Sequence, residues 1–221
     1  MSAVDGVIFD CDGVLFSSHD ANLAYYNLVL QQLGAAPVLP DQEERARLCH
    51  TAASPEVFRQ LLGEDRVEEA LSLASRVDYR QFLHLMHPEP DMVETVRLLA
   101  ARLPLAIATN RGNSMPEILR HFGLEDYFQV VVTSRDVARP KPAPDMLHLA
   151  ADRLATPPRR LLFVGDSSLD QQAAVAAGVR FVAYRNPAEG DWNIDCLSRL
   201  IEIVSGLGVA CRSLPGVSAG I

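Results

Sequence analysis

Five short runs of apolar residues recur along the chain, and each run ends in small or polar residues. Unbroken apolar runs of this length are typical of strands that are buried on both faces of a parallel sheet. The runs cover residues 4–10, 105–108, 130–132, 161–164 and 181–184. We therefore predict five parallel strands whose polar ends gather at one edge of the sheet, where open α/β folds bind ligands.

Segments with helical periodicity lie between these strands. Gly123 and Gly178 stand where C-terminal helix caps belong, and Ser114 before Pro116 is typical of a helix start. The predicted helices cover residues 92–101, 116–122, 146–154 and 169–177. Alternating strands and helices predict an α/β fold with a Rossmann-like, doubly wound parallel sheet.

Residues 17–90 interrupt this alternation, because they show helical periodicity and no convincing strand. Glycine, proline and serine divide the segment into predicted helices at residues 25–33, 43–48, 56–62 and 67–85. We predict that residues 17–90 form an all-helical cap domain, inserted into a core made of residues 1–16 and 91–221. The tail from residue 206 onward carries no recognisable pattern.

The composition is that of a globular protein that binds neither nucleic acid nor membrane. The 221 residues carry a formal net charge of −8, whereas nucleic-acid backbones are bound by clustered Lys and Arg. No apolar run approaches the roughly 20 residues that a membrane-spanning helix needs. The N-terminus lacks the basic region and cleavage site of a secretory signal, so we expect a cytoplasmic protein. We expect it to act as a monomer or homodimer.

Polar residues capable of phosphate chemistry follow the predicted strands. In chain order they are Asp10, Asp12, Gly13, Thr109, Asn110, Lys141, Asp166 and Asp170. Lys141 is the only lysine in the chain. Taken singly, each residue has an ordinary explanation as a turn, a helix cap or a solvated charge, but their joint occurrence in this order favours a functional site. Their spacing does not fit a calcium loop, a serine nucleophile elbow or a P-loop.

Together these motifs resemble the haloacid dehalogenase-like (HAD) superfamily. The resemblance covers residues 1–16 and about 91–205, and the helical segment between them looks like the small cap of the branch that contains phosphoglycolate phosphatase and beta-phosphoglucomutase. It implies a hydrolase that removes phosphate from a small phosphorylated metabolite with Mg²⁺ as cofactor. One departure is Ser17, where many relatives carry Asp, and it puts only the hinge of the cap in doubt.

The chemistry of the first motif agrees with this resemblance. A carboxylate such as that of Asp10 can attack phosphorus and form an acyl phosphate, which water hydrolyses in a second step. Asp12, two residues later, is placed to protonate the leaving group and then to deprotonate that water. This double role favours a pKa that is raised toward the working pH, and we expect the acidic neighbours of Asp12 to raise it.

The resemblance also implies a metal site. Several carboxylates that meet a phosphate dianion need a hard divalent cation between them, and Mg²⁺ is the expected ion. By resemblance, its protein ligands are the Asp10 carboxylate, the Asp12 backbone carbonyl and Asp166. Asp170 is expected either to orient these groups or to supply a further ligand.

Phosphate binding is assigned by the same resemblance to the remaining motif residues. Lys141 is expected to neutralise charge on Asp10 and on the transferring phosphoryl group. The Thr109 hydroxyl and the Asn110 backbone N–H are expected to bind phosphoryl oxygens, as is Gly13. These residues would complete a site at the carboxyl edge of the sheet.

Several alternatives remain open at the level of the sequence. A phosphomutase of the beta-phosphoglucomutase type shares every core motif with the phosphatase. Dehalogenases are disfavoured because they lack the second aspartate, which is Asp12 here, and phosphonatases because they use a cap lysine that this segment lacks. A phosphate-binding regulator without catalysis and an interaction protein that uses the cap are alternatives outside enzymology. The complete acidic set argues against the regulator.

Substrate choice is expected to depend on the cap, where the sequence is less informative. The loop near His50 and Thr51, flanked by Arg45 and Arg47, would reach over the site, with His50 or an arginine binding a carboxylate or hydroxyl of the substrate. A solvated helix end is the alternative. Cys11, beside the predicted nucleophile, is either a small filler or an oxidation-sensitive thiol.

Overall fold

The chain folds around a six-stranded parallel sheet. The structure is a computed structural model that describes residues 4–186 and 190–206. Within these residues the strands are β1 Gly6–Phe9, β2 Phe16–Ser17, β3 His87–Pro88, β4 Leu105–Thr109, β5 Val130–Thr133, β6 Leu161–Gly165, β7 Arg180–Tyr184 and β8 Trp192–Ile194. The large sheet has the order β5-β4-β1-β6-β7-β8. All neighbouring pairs in it are parallel, which confirms the predicted doubly wound α/β fold.

The central strand β1 is buried on both faces, which explains its unbroken apolar sequence. Val7, Ile8 and Phe9 have no exposed surface. Val7 and Phe9 belong to the hydrophobic cluster on one face of the sheet, and Ile8 belongs to the cluster on the other face. Val7 pairs with Leu105 of β4 and with Leu162 of β6, so the ends of these three strands lie side by side.

Helices flank both faces of the sheet. In chain order they are α1 His19–Gln32, α2 Glu43–Thr51, α3 Ser54–Leu62, α4 Val67–Ala74, α5 Met92–Ala100, α6 Met115–His121, α7 Asp145–Arg153, α8 Ser168–Ala177 and α9 Arg199–Ser205. Side chains of α5, α6 and α9 pack in one hydrophobic cluster, and those of α7 and α8 pack in the other. The four core helices predicted from the sequence agree with α5 to α8 to within one residue at each end. Gly123 and Gly178 end α6 and α8 with positive φ, as predicted.

The sheet has one more strand than the sequence predicted. β8 lies at the edge of the sheet and pairs Trp192 with Val182 of β7. It is three residues long, and only Ile194 at its end is buried. A strand this short does not repeat its alternation of apolar and polar residues, so the pattern contains too little information to predict it.

Residues 17–90, which we call the helical insert, contain α1 to α4. Two 3₁₀ helices, Glu64–Arg66 and Tyr79–Leu85, belong to the same segment. Apolar side chains of the insert form a third hydrophobic cluster, which includes Tyr26, Val29, Leu30, Val57, Phe58 and Ala70. The insert therefore has a hydrophobic core of its own beside the two clusters of the sheet.

The helix predicted at residues 67–85 is interrupted. α4 ends at Ala74, and the 3₁₀ helix begins after Asp78. The Asp78 carboxylate accepts a hydrogen bond from the Arg80 N–H at 3.1 Å. Local bonds of this kind offer the backbone an alternative to a continuous helix, so the prediction of a single long helix was wrong.

Two short antiparallel strands close the helical insert at its base. β2 pairs Phe16 with Pro88 and Ser17 with His87 of β3. The sequence predicted no strand in the insert. This prediction was wrong, because β2 and β3 lie at the two ends of the insert. Two-residue strands depend on the partner that lies opposite, about 70 positions away in the chain, and have no periodicity of their own.

Among the described residues, no helix combines the length and the apolar character that crossing a membrane requires. Residues 1–3 and 207–221 lie outside the described residues. The second range contains most of the tail, in which the sequence shows no recognisable pattern.

Candidate active site

The motif residues meet at the carboxyl ends of the central strands. Asp10 follows β1 directly, Thr109 is the last residue of β4, and Asp166 follows β6. Lys141 lies in the loop between β5 and α7, and Asp170 lies in the first turn of α8. Because these strands are parallel neighbours, their carboxyl ends share one edge of the sheet, and the side chains converge there.

Lys141 joins two carboxylates in a buried ion-pair cluster. Its ammonium lies 2.9 Å from an oxygen of Asp10 and 2.7 Å from an oxygen of Asp170. Asp10 is 7% exposed, Lys141 is 5% exposed and Asp170 is not exposed at all. Burial lowers the pKa of Lys141, but the two carboxylates outweigh burial and raise this pKa above its usual value. The ammonium therefore stays protonated at neutral pH.

The Asp10 carboxylate is held in a defined position and environment. Burial raises the pKa of Asp10 to about 7. Lys141 opposes burial and lowers this pKa, whereas the neighbouring Asp170 and Asp12 carboxylates raise it. The Cys11 N–H donates to Oδ1 of Asp10 at 2.7 Å, and Lys141 contacts the same oxygen. Oδ2 takes part in neither of these two contacts.

Asp10, Asp166 and Asp170 form an acidic cluster. One oxygen from each carboxylate lies within 4.8 Å of the others. Burial raises the pKa of Asp166 to about 8, and repulsion by Asp10 and Asp170 adds to this effect. Three carboxylates that crowd together fit a hard divalent cation, because oxygen ligands suit such a cation and its charge removes their mutual repulsion.

Gly13 allows Asp166 to approach the loop that follows β1. Gly13 has a φ of +72°, and a Cβ atom at this position would lie 2.0 Å from Oδ2 of Asp166. The Gly13 N–H donates to the Phe16 carbonyl at 2.8 Å. The missing side chain of Gly13 thus makes room for Asp166 of the acidic cluster. The part of Gly13 in phosphate binding stays a prediction.

Asp170 is a helix cap as well as a member of the cluster. Its Oδ2 accepts hydrogen bonds from the Ser167 N–H at 3.0 Å and from the Ser167 hydroxyl. The Asp170 N–H donates in return to Ser167 Oγ at 3.3 Å, which completes a capping box at the start of α8. The cap fixes the side chain, so that Oδ1 points to Lys141.

Asp12 has different partners from those of Asp10. Its Oδ1 accepts hydrogen bonds from the Ser18 hydroxyl, from Asn22 Nδ2 at 2.9 Å and from Arg111 Nη2 at 2.5 Å. Burial raises the pKa of Asp12, but Arg111 and His50, together with these hydrogen bonds, outweigh burial and lower it. The expectation that acidic neighbours raise this pKa was wrong, because Arg111 supplies the opposite charge at contact distance.

Asn110 holds the Lys141 loop with its side chain. Its amide donates to the Lys141 carbonyl at 3.1 Å and accepts from the Lys141 N–H at 3.0 Å. The same amide donates to the Thr51 carbonyl of the insert at 3.0 Å. Thr109 Oγ1 accepts from the Arg111 N–H at 3.2 Å, which leaves the Thr109 hydroxyl hydrogen for another acceptor.

A cavity of about 640 Å³ lies between the strand ends and the helical insert. Motif residues line it from the side of the sheet, namely Asp10, Asp12, Thr109 and Asn110. From the insert it is lined by three tyrosines, Tyr25, Tyr26 and Tyr79, and by several small residues. The cavity therefore combines a polar side, where the carboxylates lie, with a partly apolar side.

The structure brings two of the four predicted cap residues to this cavity. His50 and Thr51, at the end of α2, line it. Arg45 and Arg47 lie earlier on α2 and are not among the described residues that line the cavity. Arg45 donates instead to Gln42 Oε1 at 3.2 Å, and Arg47 is exposed.

His50 is buried and connected to the Asp12 partners. Its Nδ1 lies 3.3 Å from Asn22 Nδ2, and its ring stacks on His19 with the centroids 3.5 Å apart. Burial lowers the pKa of His50 to about 4, against the attraction of Asp12. The imidazole is therefore neutral near pH 7.

Arg111 and Asn22 were not predicted from the sequence. Arg111 Nη2 donates to Asn22 Oδ1 at 2.7 Å, and its guanidinium carbon lies 5.0 Å from the ring centroid of Tyr79. Arg111 directly follows the Thr109-Asn110 motif, so a basic residue at a strand end was an available signal. Asn22 lies within α1, where an isolated amide has no pattern that indicates a function.

Cys11 is fully buried between the two aspartates. Burial raises the pKa of its thiol well above the usual value, with Asp12 adding to the effect. A buried, protonated thiol is unreactive, because the thiolate is the form that is oxidised. These properties fit the interpretation of Cys11 as a small filler.

Comparisons with known proteins agree with this geometry. Residues 7–184 match the family described as haloacid dehalogenase-like hydrolase. A phosphoglycolate phosphatase from Shigella boydii serotype 4 is 33% identical over 198 residues, with 79% of each chain covered. One from Escherichia coli strain K12 is 32% identical over 203 residues, with 79% of each chain covered. The crystal structure of a HAD-superfamily hydrolase of subfamily IA, variant 1, from Geobacter sulfurreducens PCA has a TM-score of 0.80 and 37% identity, covering 91% of this chain and 100% of its own. As its motifs predicted, the chain belongs to the haloacid dehalogenase-like hydrolase family.

Proposed function

We propose that this protein is a Mg²⁺-dependent phosphatase that hydrolyses a small phosphate monoester through an aspartyl phosphate on Asp10. As a member of this hydrolase family with phosphoglycolate phosphatases among its relatives, it is a phosphoric monoester hydrolase. The metal, the intermediate and the residue roles are the proposed parts. The observation that carries them is the buried Asp10 carboxylate, 2.9 Å from Lys141 and within the acidic cluster.

In the first step, Asp10 acts as the nucleophile. An oxygen of its carboxylate attacks phosphorus, and the bond between phosphorus and the ester oxygen breaks. We assign the attack to Oδ2, because Lys141 and the Cys11 N–H occupy Oδ1. Asp12 donates its proton to the departing oxygen, which leaves as an alcohol.

In the second step, Asp12 acts as the base. It accepts a proton from water while the water oxygen attacks phosphorus, and the bond between phosphorus and Asp10 breaks. Inorganic phosphate leaves, and both aspartates return to their starting forms. Because Arg111 lowers the pKa of Asp12, the protonated form needs additional negative charge nearby, which the phosphoryl group of the substrate supplies.

The remaining motif residues bind the phosphoryl group and the cation. Lys141 neutralises negative charge, while the free hydrogen of the Thr109 hydroxyl and the Asn110 N–H bind phosphoryl oxygens. The acidic cluster, together with the Asp12 carbonyl, would hold Mg²⁺, which when bound neutralises charge and orients the phosphoryl oxygens. His50 and Thr51 of the insert line the cavity, which supports a contact between them and the alcohol part of the substrate.

The proposal is tested by assaying a panel of small phosphate esters with and without Mg²⁺. Phosphoglycolate is the first substrate, because relatives at about a third identity carry that name. We expect Mg²⁺-dependent release of inorganic phosphate with a single ester as sole substrate. Absence of turnover on every ester contradicts the proposal. Negligible phosphate release, together with conversion of a hexose 1-phosphate to its 6-phosphate after addition of a trace of the bisphosphate, indicates a mutase instead.

A further inference from the structure

Arg111 is a buried cation that lines the cavity, and the proposed reaction assigns it no contact with the substrate. It is 8% exposed. It directly follows Thr109 and Asn110, which the proposed mechanism assigns to the phosphoryl group. A ligand group bound by Arg111 would therefore lie only a few atoms from the phosphorus of the substrate.

The Arg111 guanidinium has hydrogen-bonding capacity to spare. Nη2 donates to Asp12 and Asn22, and Nη1 donates to Ser114 Oγ at 3.3 Å. The Nε–H is buried and has no hydrogen-bond partner among the described residues. A guanidinium presents its donors as a planar fork that matches the two oxygens of a carboxylate. A buried donor without an acceptor costs free energy, so an acceptor oxygen from a ligand is favourable here.

His50 supplies a second donor of this kind. Asn22 Oδ1 accepts from Arg111, so the amide nitrogen of Asn22 is the atom that faces His50, and it donates to Nδ1. Neutral His50 consequently carries its hydrogen on Nε2. This buried Nε2–H also has no hydrogen-bond partner within the part of the chain that the structure describes. Both nitrogens have almost no accessible surface, so a ligand group that accepts hydrogen bonds would reach them after the side chains turn toward the cavity.

Asp12 does not depend on Arg111 alone for its hydrogen bonds. The Ser18 hydroxyl and the Asn22 amide also donate to it. If Arg111 turns toward a ligand, Asp12 keeps two donors, and the large cost of a buried carboxylate without any partner is avoided. Arg111 can therefore exchange Asp12 for an anionic group of the substrate.

We propose that Arg111 is a specificity-determining residue that binds a carboxylate on the alcohol part of the substrate. This inference rests on the proposed phosphatase function and names the residue that would select phosphate esters of short hydroxy acids, the class to which phosphoglycolate belongs. A carboxylate balances the single charge of the guanidinium. A second phosphate group carries more negative charge than one guanidinium balances, so it would leave an excess of negative charge beside the aspartates of the site.

The test compares phosphoglycolate with the phosphate ester of glycolamide, in which an uncharged amide replaces the carboxylate at nearly the same shape. The control variant is Arg135→Gln, because Arg135 also lines the cavity but pairs with Asn113. We expect the native protein and this control to prefer the acid in kcat/KM by about 30-fold or more, as for a charge-assisted hydrogen-bonded pair. In Arg111→Gln the preference should fall to within about threefold.

A purely structural role for Arg111 would lower the turnover of both esters by the same factor and keep the preference, which overturns the proposal. Because Arg111→Gln removes a partner of buried Asp12 and can fail to fold, Arg111→Lys is the second variant. It keeps the charge but not the fork, and the preference should fall by about fivefold or more. An unchanged preference in Arg111→Lys contradicts the proposal.

Binding separates this inference from the proposed function. In an Asp10→Asn background with Mg²⁺, calorimetry measures the affinity for both esters without turnover. If the native protein hydrolyses neither ester, the proposed phosphatase function is contradicted. The binding measurement still tests the role of Arg111 in that case. A preference for the acid that disappears in the Asp10→Asn, Arg111→Gln double variant supports the role of Arg111, and equal affinity for both esters before Arg111 is changed overturns it.

Discussion

The Lys141 ammonium lies 2.9 Å from the Asp10 carboxylate, just beyond the end of β1. The same ammonium lies 2.7 Å from Asp170, so a single cation serves two buried carboxylates. Burial alone would keep Asp10 protonated, and Lys141 is the group that opposes this effect. The ionisation of the proposed nucleophile therefore depends on the only lysine in the chain.

Lys141→Met should lower kcat/KM by about 10²–10³-fold, as expected for removal of a preorganised group that stabilises the transition state. It should also move the acidic limb of the pH–rate profile to higher pH. Lys141 lowers the pKa of Asp10, so its loss raises this pKa and leaves less carboxylate at any given pH. The pH dependence of kcat/KM measures both effects. Activity within tenfold of native with an unmoved acidic limb would separate Lys141 from the reacting group.

Activity should require Mg²⁺ and be lost in EDTA. Ca²⁺ should suppress it, because its larger radius and flexible coordination let Asp10 bind through both oxygens and lose its attacking geometry. Asp166→Asn should raise the Mg²⁺ concentration for half-maximal activity by about tenfold or more. Glu117→Gln is the control, since Glu117 lines the cavity outside the acidic cluster. Full activity after metal stripping contradicts the site, and an equal rate with Ca²⁺ contradicts only the geometric argument.

Gly13→Ala should weaken the activation of the protein by Mg²⁺, because Gly13 makes room for Asp166 of the acidic cluster. An alanine Cβ would collide with Asp166 Oδ2 at 2.0 Å, and the φ of +72° is unfavourable for alanine. We expect a stability loss of about 1–3 kcal/mol and a weaker response to Mg²⁺. Gly112→Ala is the matched control, because its Cβ would meet nothing closer than 3.8 Å. Equal Mg²⁺ titrations for the two variants would remove Gly13 from the support of the acidic cluster.

His50 should make the protein less stable at acid pH. Its pKa is about 4 in the folded chain and about 6.5 in the unfolded chain, so the unfolded chain binds more protons between these values. The free energy of unfolding therefore falls as the pH falls from 6.5 toward 4, by about 3 kcal/mol from this group. Denaturant unfolding of native protein and His50→Gln across this range measures it.

The native protein should lose more stability than His50→Gln over this interval, because glutamine does not titrate. His84→Gln is the control, since His84 is exposed in the same insert. Parallel pH dependence of native protein and His50→Gln would contradict the buried neutral imidazole.

The sequence predicted the core of the fold because its strands are buried on both faces. β1, β4 and β6 have unbroken apolar sequences for this reason, and the helices between them show regular periodicity. The elements that were missed depend on partners instead. β8 exists through its pairing with β7, and β2 exists through β3, whereas the turn at Asp78 depends on a local side-chain bond.

The positions of the motif residues followed from the parallel topology, but their electrostatics did not. Asp10 and Asp166 had to lie near each other, because they follow neighbouring parallel strands. The lowered pKa of Asp12 depends on Arg111, which lies 99 positions away in the chain. Contacts of this range are set by packing, and no local pattern predicts them.

The covalent intermediate on Asp10 is the central claim, and its direct detection is the most direct test. The measurement uses Asp12→Asn with Mg²⁺ and p-nitrophenyl phosphate, a substrate whose leaving group needs no proton. The first step can then proceed while the second, which needs Asp12 as base, is slow. After rapid acid quench, mass spectrometry of the peptides should find phosphate on Asp10. Asp10→Asn should show no phosphopeptide and no turnover, because the amide matches the carboxylate in shape but cannot form an acyl phosphate. Phosphate on a different residue, or turnover by Asp10→Asn within tenfold of native, would contradict the account.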